Sequence, residues 1–360
     1  MEEQLFVSTT PGLEAALEGE ARSLGAAVSR EAGGVSMRGP PGLYALANLR
    51  LRTASRVLLR LGQVPLREPF DAALARVPVA AEVGTGVRVR ATGAGPLAKL
   101  EAAATRLWGG GAGDDAPEVL LRAEGGRCTV SLDTSGEGLH LRGYRQEVSR
   151  APVRETLAAG ILLLAGYSGD EPLWDPMCGS GTLAIEGAWL AQHRAPGLAR
   201  RFAFERFASH DAARWQAELA RARAEERPAP FPILAGDLNA GSLGTARRNA
   251  RRAGLAGELT LERHDATRLE APAGVVPGLV VANLPYGKRV GDRTELPRLY
   301  RDFGAAIRRL KGWRYALLTA EGDERGLGFE PDRALALSNG GLKCRLLLGR
   351  VPLEGAGGGR

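Results

Sequence analysis

WDPMCGSGTLAIEGA, residues 174–188, is the stretch that decides the fold. The apolar pair Leu173-Trp174 reads as a strand end and closes on Asp175. A glycine turn, Gly179-Ser180-Gly181, follows, and a helix is expected from about Thr182. Glycine lets a backbone turn sharply and approach a ligand closely, and a helix N-terminus offers N–H groups with no partner inside the helix. Strand, glycine turn and helix in this order belong to open parallel α/β sheets, where they hold a dinucleotide or an adenosyl cofactor. Read as Gly179-x-Gly181-x-x-Ala184, the stretch is a short nicotinamide-type pattern. Asp175 tilts the balance, because a carboxylate there meets a cationic amino group and repels a phosphate.

Working downstream, short apolar strands alternate with helices, as in a parallel α/β sheet. Strands are expected at 233–235, 259–261, 279–282, 315–318 and 345–348, with a helical excursion over 191–232. Two further acids follow strands. Asp237 stands where nucleoside-binding sheets hold ribose hydroxyls, with Asn239 as a second contact, and Asp265, beside Ala266, stands where a carboxylate accepts the exocyclic amine of adenine. Either acid alone reads equally as a turn or helix-capping residue. The fourth member is NLPYGKR, 283–289, after the run Leu279 to Ala282. Asn283 and the Leu284 carbonyl offer two acceptors, Pro285 stiffens the turn, and Tyr286 offers a ring for stacking on an unstacked base. Two acceptors on an exocyclic amine favour a more tetrahedral, more nucleophilic nitrogen, and orientation towards a methyl donor adds to the rate.

Upstream, strand-like 5–9, a helix over 11–26 and a strand near 35–37 precede a segment, 43–64, that is helical and then strand-like. Residues 67–146 continue with helices at 70–76 and 97–108, an arginine-alternating strand at 86–91, and a closing hairpin of 130–135 with 139–144. The expected domains are 1–66, 67–148 and 149–352, followed by a flexible tail at 353–360.

The net charge of +7 suggests an anionic partner, and nucleic acid leads that class. Arginine supplies nearly all of the positive charge, a bias that a GC-rich genome also produces. Cys128, Cys178 and Cys344 lie far apart and form no CxxC pair, which suits a reducing cytoplasm. The start, MEEQLFVSTT, is acidic where a signal peptide is basic, and no apolar run is long enough to span a bilayer. The four histidines show no metal-ligand spacing, so no metal is expected. RRNARRAG, 247–254, reads as a solvated helix face. Arg142, Arg145 and Arg150 in the linker, with Lys288 and Arg289 beside the NLPY turn, are the expected phosphate contacts.

DPMCGSGT with a downstream NLPYG resembles the amino-methyltransferases that use S-adenosylmethionine. FVSTTPGLEAALEGEARSLGA, LRLRTASRVLLRLG and LHLRGYRQEVSRAPVRETLAAGILLLAG narrow the resemblance to THUMP-domain RNA guanine-N2 methyltransferases of the RlmL/YpsC type. The resemblance covers nearly the whole chain. It implies a Rossmann-like methyltransferase domain with a mainly parallel seven-stranded sheet, preceded by a ferredoxin-like α+β unit and an RNA-binding THUMP domain. It further implies that Asp175, Pro176, Gly179, Gly181 and Thr182 meet the methionine end of S-adenosylmethionine. Asp237 would meet the ribose and Asp265 the adenine, while Asn283, Leu284, Pro285 and Tyr286 hold a guanine. Leu284 stands where many relatives have a second proline. The implied substrate is ribosomal RNA, with transfer RNA as the alternative. An oxidoreductase would need an acid about 20 residues beyond the glycine turn, and a silent RNA-binding protein would have no use for the intact site residues.

Overall fold

The computed structural model describes residues 2–67, 69–84, 86–110, 113, 115–146, 153–286 and 295–353. The chain forms two compact units. One is built from residues up to Thr9, Leu17–Leu139 and Pro196–Ala222, and the other from Thr10–Ala16, His140–Ala195 and Arg223 onward.

The first unit contains β1 (Glu3–Thr9), α1 (Glu14–Ser23, shared at its start), β2 (Ala27–Glu31), β3 (Gly34–Gly39), α2 (Leu43–Arg50) and β4 (Ala54–Pro65). It continues through α3 (Phe70–Leu74), α4 (Val79–Val83), β5 (Arg88–Gly93), α5 (Leu97–Trp108), β6 (Glu118–Glu124) and β7 (Arg127–Asp133). One sheet runs β2-β3-β1-β4-β7-β6-β5, and long β4 pairs with β1 on one side and β7 on the other. The expected hairpin of 130–135 with 139–144 is replaced by β6 against β7. Gly125 and Gly126, both with positive φ, supply the two-residue turn that such a hairpin requires.

The second unit carries α6 (Glu155–Leu164), β8 (Leu173–Asp175) and α7 (Thr182–Ala191). After α8 (Ala212–Ala224), which belongs to the first unit up to Ala222, come β9 (Ile233–Asp237), α9 (Ala240–Arg252), β10 (Leu259–Arg263) and β11 (Leu279–Asn283). The chain ends with α10 (Leu296–Arg309), β12 (Arg314–Ala320), β13 (Arg333–Asn339) and β14 (Leu342–Arg350). Its seven-stranded sheet runs β10-β9-β8-β11-β12-β14-β13, parallel except where β14 meets β12 and β13. Period-two alternation sorts the β11 side chains between two buried layers. Leu279 and Val281 join Leu157, Ile161, Leu183 and Ala246 on one face; Val280 and Ala282 join Tyr300, Phe303 and Ile307 on the other.

Arg142 and Arg145, expected at phosphate, serve this core instead. The Arg142 side chain is only 2% exposed and its Nε lies 3.6 Å from Glu186 Oε1, on α7. The Tyr144 hydroxyl donates to the same oxygen at 3.0 Å. Arg145 Nε lies 3.1 Å from Glu155 Oε1, in the first turn of α6, and its NH1 donates to the Val153 carbonyl. Two acids that would be costly to bury alone each gain an arginine partner, and in return Arg142 is buried and Arg145 is drawn largely inward. Arg150, Lys288 and Arg289 lie outside the described residues.

Burial pushes the Glu155 carboxyl up to about 7; Arg145 opposes the shift and Glu186 adds to it. The folded state therefore binds a proton that the unfolded chain has released. The stability this group contributes is complete below its ordinary carboxylate pKa and is lost as pH rises through about 7. Denaturant unfolding across that window should show wild type losing roughly 1–3 kcal/mol relative to Glu155→Gln as pH rises. Parallel profiles would mean that Glu155 is ionised throughout.

Candidate active site

Four of the expected residues stand at the carboxyl edge of the parallel strands. Asp175 and Asn283 terminate adjacent β8 and β11, Asp237 terminates β9, and Asp265 lies two residues past β10. In space the row reads Asp265, Asp237, Asp175, Asn283. From β8 the chain winds outward to β9 and β10, then returns to β11 on the other side. The β8/β11 boundary is thus a topological switch point, where open α/β sheets bind ligands. At about 4.8 Å per strand, the row spans on the order of 15 Å.

Asp175 is 1% exposed. Its Oδ1 accepts from the Met177 N–H at 3.3 Å, and its buried Oδ2 has no hydrogen-bond partner among the described residues. Burial holds its pKa well above the ordinary carboxylate value, and the charge of Asp237 pushes it further up. A buried carboxylate of this kind is suited to a cationic ligand. Gly179 and Gly181 both adopt positive φ, as the turn requires. Thr182 opens α7, and the Ser180 carbonyl accepts from buried Asn249 Nδ2 at 3.0 Å.

Asp237 fastens this turn to β9: Oδ2 accepts from Gly179 N at 2.9 Å and Oδ1 from Asn239 N at 2.8 Å. The Asn239 side chain caps α9 through Gly241 N and Ser242 N. Asp265 caps a short 3-10 turn that begins at Ala266, accepting from Thr267 N and Oγ1. Those bonds hold its carboxyl below the usual carboxylate range. Both capping roles coexist with further contacts, since each carboxylate oxygen has two lone pairs.

His264, beside Asp265, reads from the sequence as a pocket wall rather than a catalyst, and the fold shows what holds it. Its Nε2 lies 3.2 Å from the Pro176 carbonyl, which can only accept, so the proton sits on Nε2. Its ring packs edge-on against Trp174 and crosses the backbone of Gly236. A Cβ at Gly236 would come within 2.0 Å of His264 Cε1, so only glycine lets the ring bridge the ends of β8 and β9.

Tyr286 departs from its expected role. Its ring is 4% exposed and packs among Leu337, Cys344 and Leu346, and its hydroxyl accepts from Asn339 Nδ2 at 2.6 Å. The ring anchors the turn and presents no stacking face. Cys178 is buried, its thiol is pushed up by burial, and nothing marks it as a nucleophile. Among the described residues no group of three or more His, Cys, Asp or Glu could hold a metal ion, and no helix is long and apolar enough to cross a membrane. A cleft of about 810 Å³ in the first unit, between α2, β4 and α8, contains none of the row residues.

This sheet order, with a glycine turn and an uncompensated acid at its switch point, defines an α/β methyltransferase fold. The chain belongs to the RMKL-like methyltransferase domain family, matched over residues 142–345, and residues 4–58 match the RlmL ferredoxin-like domain. The ribosomal RNA large subunit methyltransferase K/L of Aeromonas salmonicida is 32% identical over 98% of this chain and 54% of its own length. That of Allochromatium vinosum is 41% identical over 65% of this chain and 33% of its own length. The chain thus spans about half the length, or less, of these curated relatives. SMU.472, a candidate methyltransferase crystallised with SAH, is similar with a TM-score of 0.87 and 26% identity, covering 97% of this chain and 98% of that one. A chain from Listeria monocytogenes, named a predicted N6-adenine-specific DNA methylase, has a TM-score of 0.88 and 28% identity, covering 98% and 97%.

Gly236→Ala should cost about 1–3 kcal/mol in thermal unfolding by displacing the His264 ring. The same substitution in a His264→Ala background should cost much less. Equal cost in both backgrounds would remove the clash as the cause.

Proposed function

We propose that this protein is an S-adenosylmethionine-dependent RNA methyltransferase that makes N2-methylguanosine in large-subunit ribosomal RNA. The observation that carries the cofactor is the buried Asp175 Oδ2, which has no hydrogen-bond partner among the described residues. An acid so placed fits the α-amino group at the cofactor's methionine end, and SMU.472 supplies a related fold that binds SAH. Pro176, Gly179, Gly181 and Thr182 would line that end, Asp237 and Asn239 the ribose, and Asp265 with Ala266 the adenine. The names of the K/L relatives support ribosomal RNA.

The cofactor supplies an electrophilic methyl group at the switch point. Asn283 Oδ1 and the Leu284 carbonyl accept from the exocyclic amine of the target base and orient its lone pair. No strong base is required, because the alkylated amine is acidic and loses its proton to water. The flipped base stacks on a group other than Tyr286, whose ring is buried. Residues 1–66 are read as the ferredoxin-like domain, 67–148 as a THUMP domain that binds RNA, 149–352 as the catalytic domain and 353–360 as a tail. The site of action is read as cytoplasmic.

Protein incubated with deproteinised ribosomal RNA and labelled S-adenosylmethionine should place label in N2-methylguanosine on nucleoside mass spectrometry. Label in N6-methyladenosine, in transfer RNA alone, or nowhere overturns the reading. Asn283→Ala should keep the calorimetric affinity for SAH and lose about 10²- to 10³-fold in turnover. Loss of SAH affinity would make Asn283 a cofactor or structural residue instead.

A further inference from the structure

We propose that the Tyr300 hydroxyl is a positioning group for the base-holding turn, polarised in turn by Thr319. The inference rests on the reading of Asn283 and Leu284 as the acceptors of the target amine.

Three ties hold Leu284-Pro285-Tyr286, one per residue, and each reaches a different element. Leu284 N donates to the Leu318 carbonyl of β12 at 2.9 Å. The Tyr300 hydroxyl, from α10, donates to the Pro285 carbonyl at 3.1 Å. Asn339, from the end of β13, donates to the Tyr286 hydroxyl at 2.6 Å. The Leu284 carbonyl lies between the first two ties: Leu284's own N–H is held on one side, and the peptide plane beyond Pro285 is held by Tyr300 on the other.

The proton inventory gives this tie a direction. A tyrosine hydroxyl has one hydrogen. The Pro285 carbonyl can only accept, so that hydrogen points to it. Tyr300 Oη also lies 2.7 Å from Thr319 Oγ1, and with its own hydrogen committed it must accept there. The chain therefore runs from the Thr319 O–H to Tyr300 Oη, and from the Tyr300 O–H to the Pro285 carbonyl. Thr319 is 0% and Tyr300 3% exposed, so water does not compete for either group. Burial also pushes the Tyr300 pKa up, which keeps it a donor throughout the working pH range.

Pro285 makes the external tie necessary. Its nitrogen carries no hydrogen, so the turn lacks one of the internal donors that would otherwise stiffen it. The ring fixes φ, while the peptide plane on its carbonyl side is held by Tyr300. Displacements of about 1 Å at a reacting pair cost on the order of 10²-fold in rate, so one hydroxyl outside the site can matter.

The experiment compares wild type, Tyr300→Phe, Thr319→Val and Thr319→Ser for methyl transfer to ribosomal RNA, SAH affinity by calorimetry, and melting temperature. Tyr300→Phe should lower kcat about 10- to 100-fold, with KM for RNA and SAH affinity within about threefold of wild type. Thr319→Val should lower kcat in the same direction but less, and Thr319→Ser, which retains the hydroxyl, should restore it. Unchanged kcat in folded Tyr300→Phe overturns the inference. If that variant does not fold, Thr319→Val and Thr319→Ser decide: equal kcat in the two overturns it. A wild-type protein that makes no N2-methylguanosine defeats the functional reading instead, so the two failures remain distinct.

Discussion

An acidic side chain that is buried, half-satisfied and next to a second acid sets the terms for everything around it. Asp175 keeps one oxygen on the Met177 amide and leaves the other in a dry site without a donor among the described residues. Ionising such a group costs several kcal/mol unless a cation arrives. Asp237 lies close enough to raise that cost further. The glycine turn is therefore fastened from outside, by Asp237 to Gly179 and by Asn249 to Ser180. Binding a cation there would restore ionisation and relieve the penalty, so the site's instability is also its selectivity.

The same acid was legible in the sequence because its neighbours are local: an apolar strand before it and two glycines after it. The row of strand ends was legible residue by residue, although not in its spatial order. Along the chain Asp237 and Asp265 separate Asp175 from Asn283. In the sheet Asp175 and Asn283 terminate adjacent strands and the other two acids run away on one side. Only the reversal of winding after β10 brings Asp175 and Asn283 together. A long ligand laid along Asp265, Asp237 and Asp175 then has one end beside Asn283, which no count of intervening residues reveals.

What the sequence concealed depends on partners far along the chain. Arg142 and Arg145 read as phosphate ligands because linker arginines between two domains are normally exposed. Glu186 and Glu155 reverse that reading: each sits on a helix that is otherwise largely apolar and buried, so each needs a cation from elsewhere in the chain. Tyr286 is a similar case. An aromatic after Asn-x-Pro suggests a stacking platform, yet Leu337, Cys344 and Asn339 arrive from β13 and β14 to enclose the ring. Local patterning locates the turn, but the later strands determine which of its groups face outward.

That division explains the construction of the turn. A base-holding loop must be rigid at the atoms that orient the amine, and a loop beyond a strand end has few backbone partners of its own. On the proposed reading the fold meets this by using Pro285 and Tyr286, the two turn residues not assigned to the amine, as attachment points. Tyr286 contributes a buried ring and a hydroxyl acceptor, and Pro285 a fixed φ and a carbonyl acceptor. Both point their polar atoms at donors on α10 and β13, elements that come later in the chain. Leu284 in place of a second proline fits the same logic, since a proline there would have no N–H to give Leu318. The extra ladder bond replaces stiffness that a second pyrrolidine ring would have supplied, and it anchors the residue whose carbonyl is read as the second acceptor.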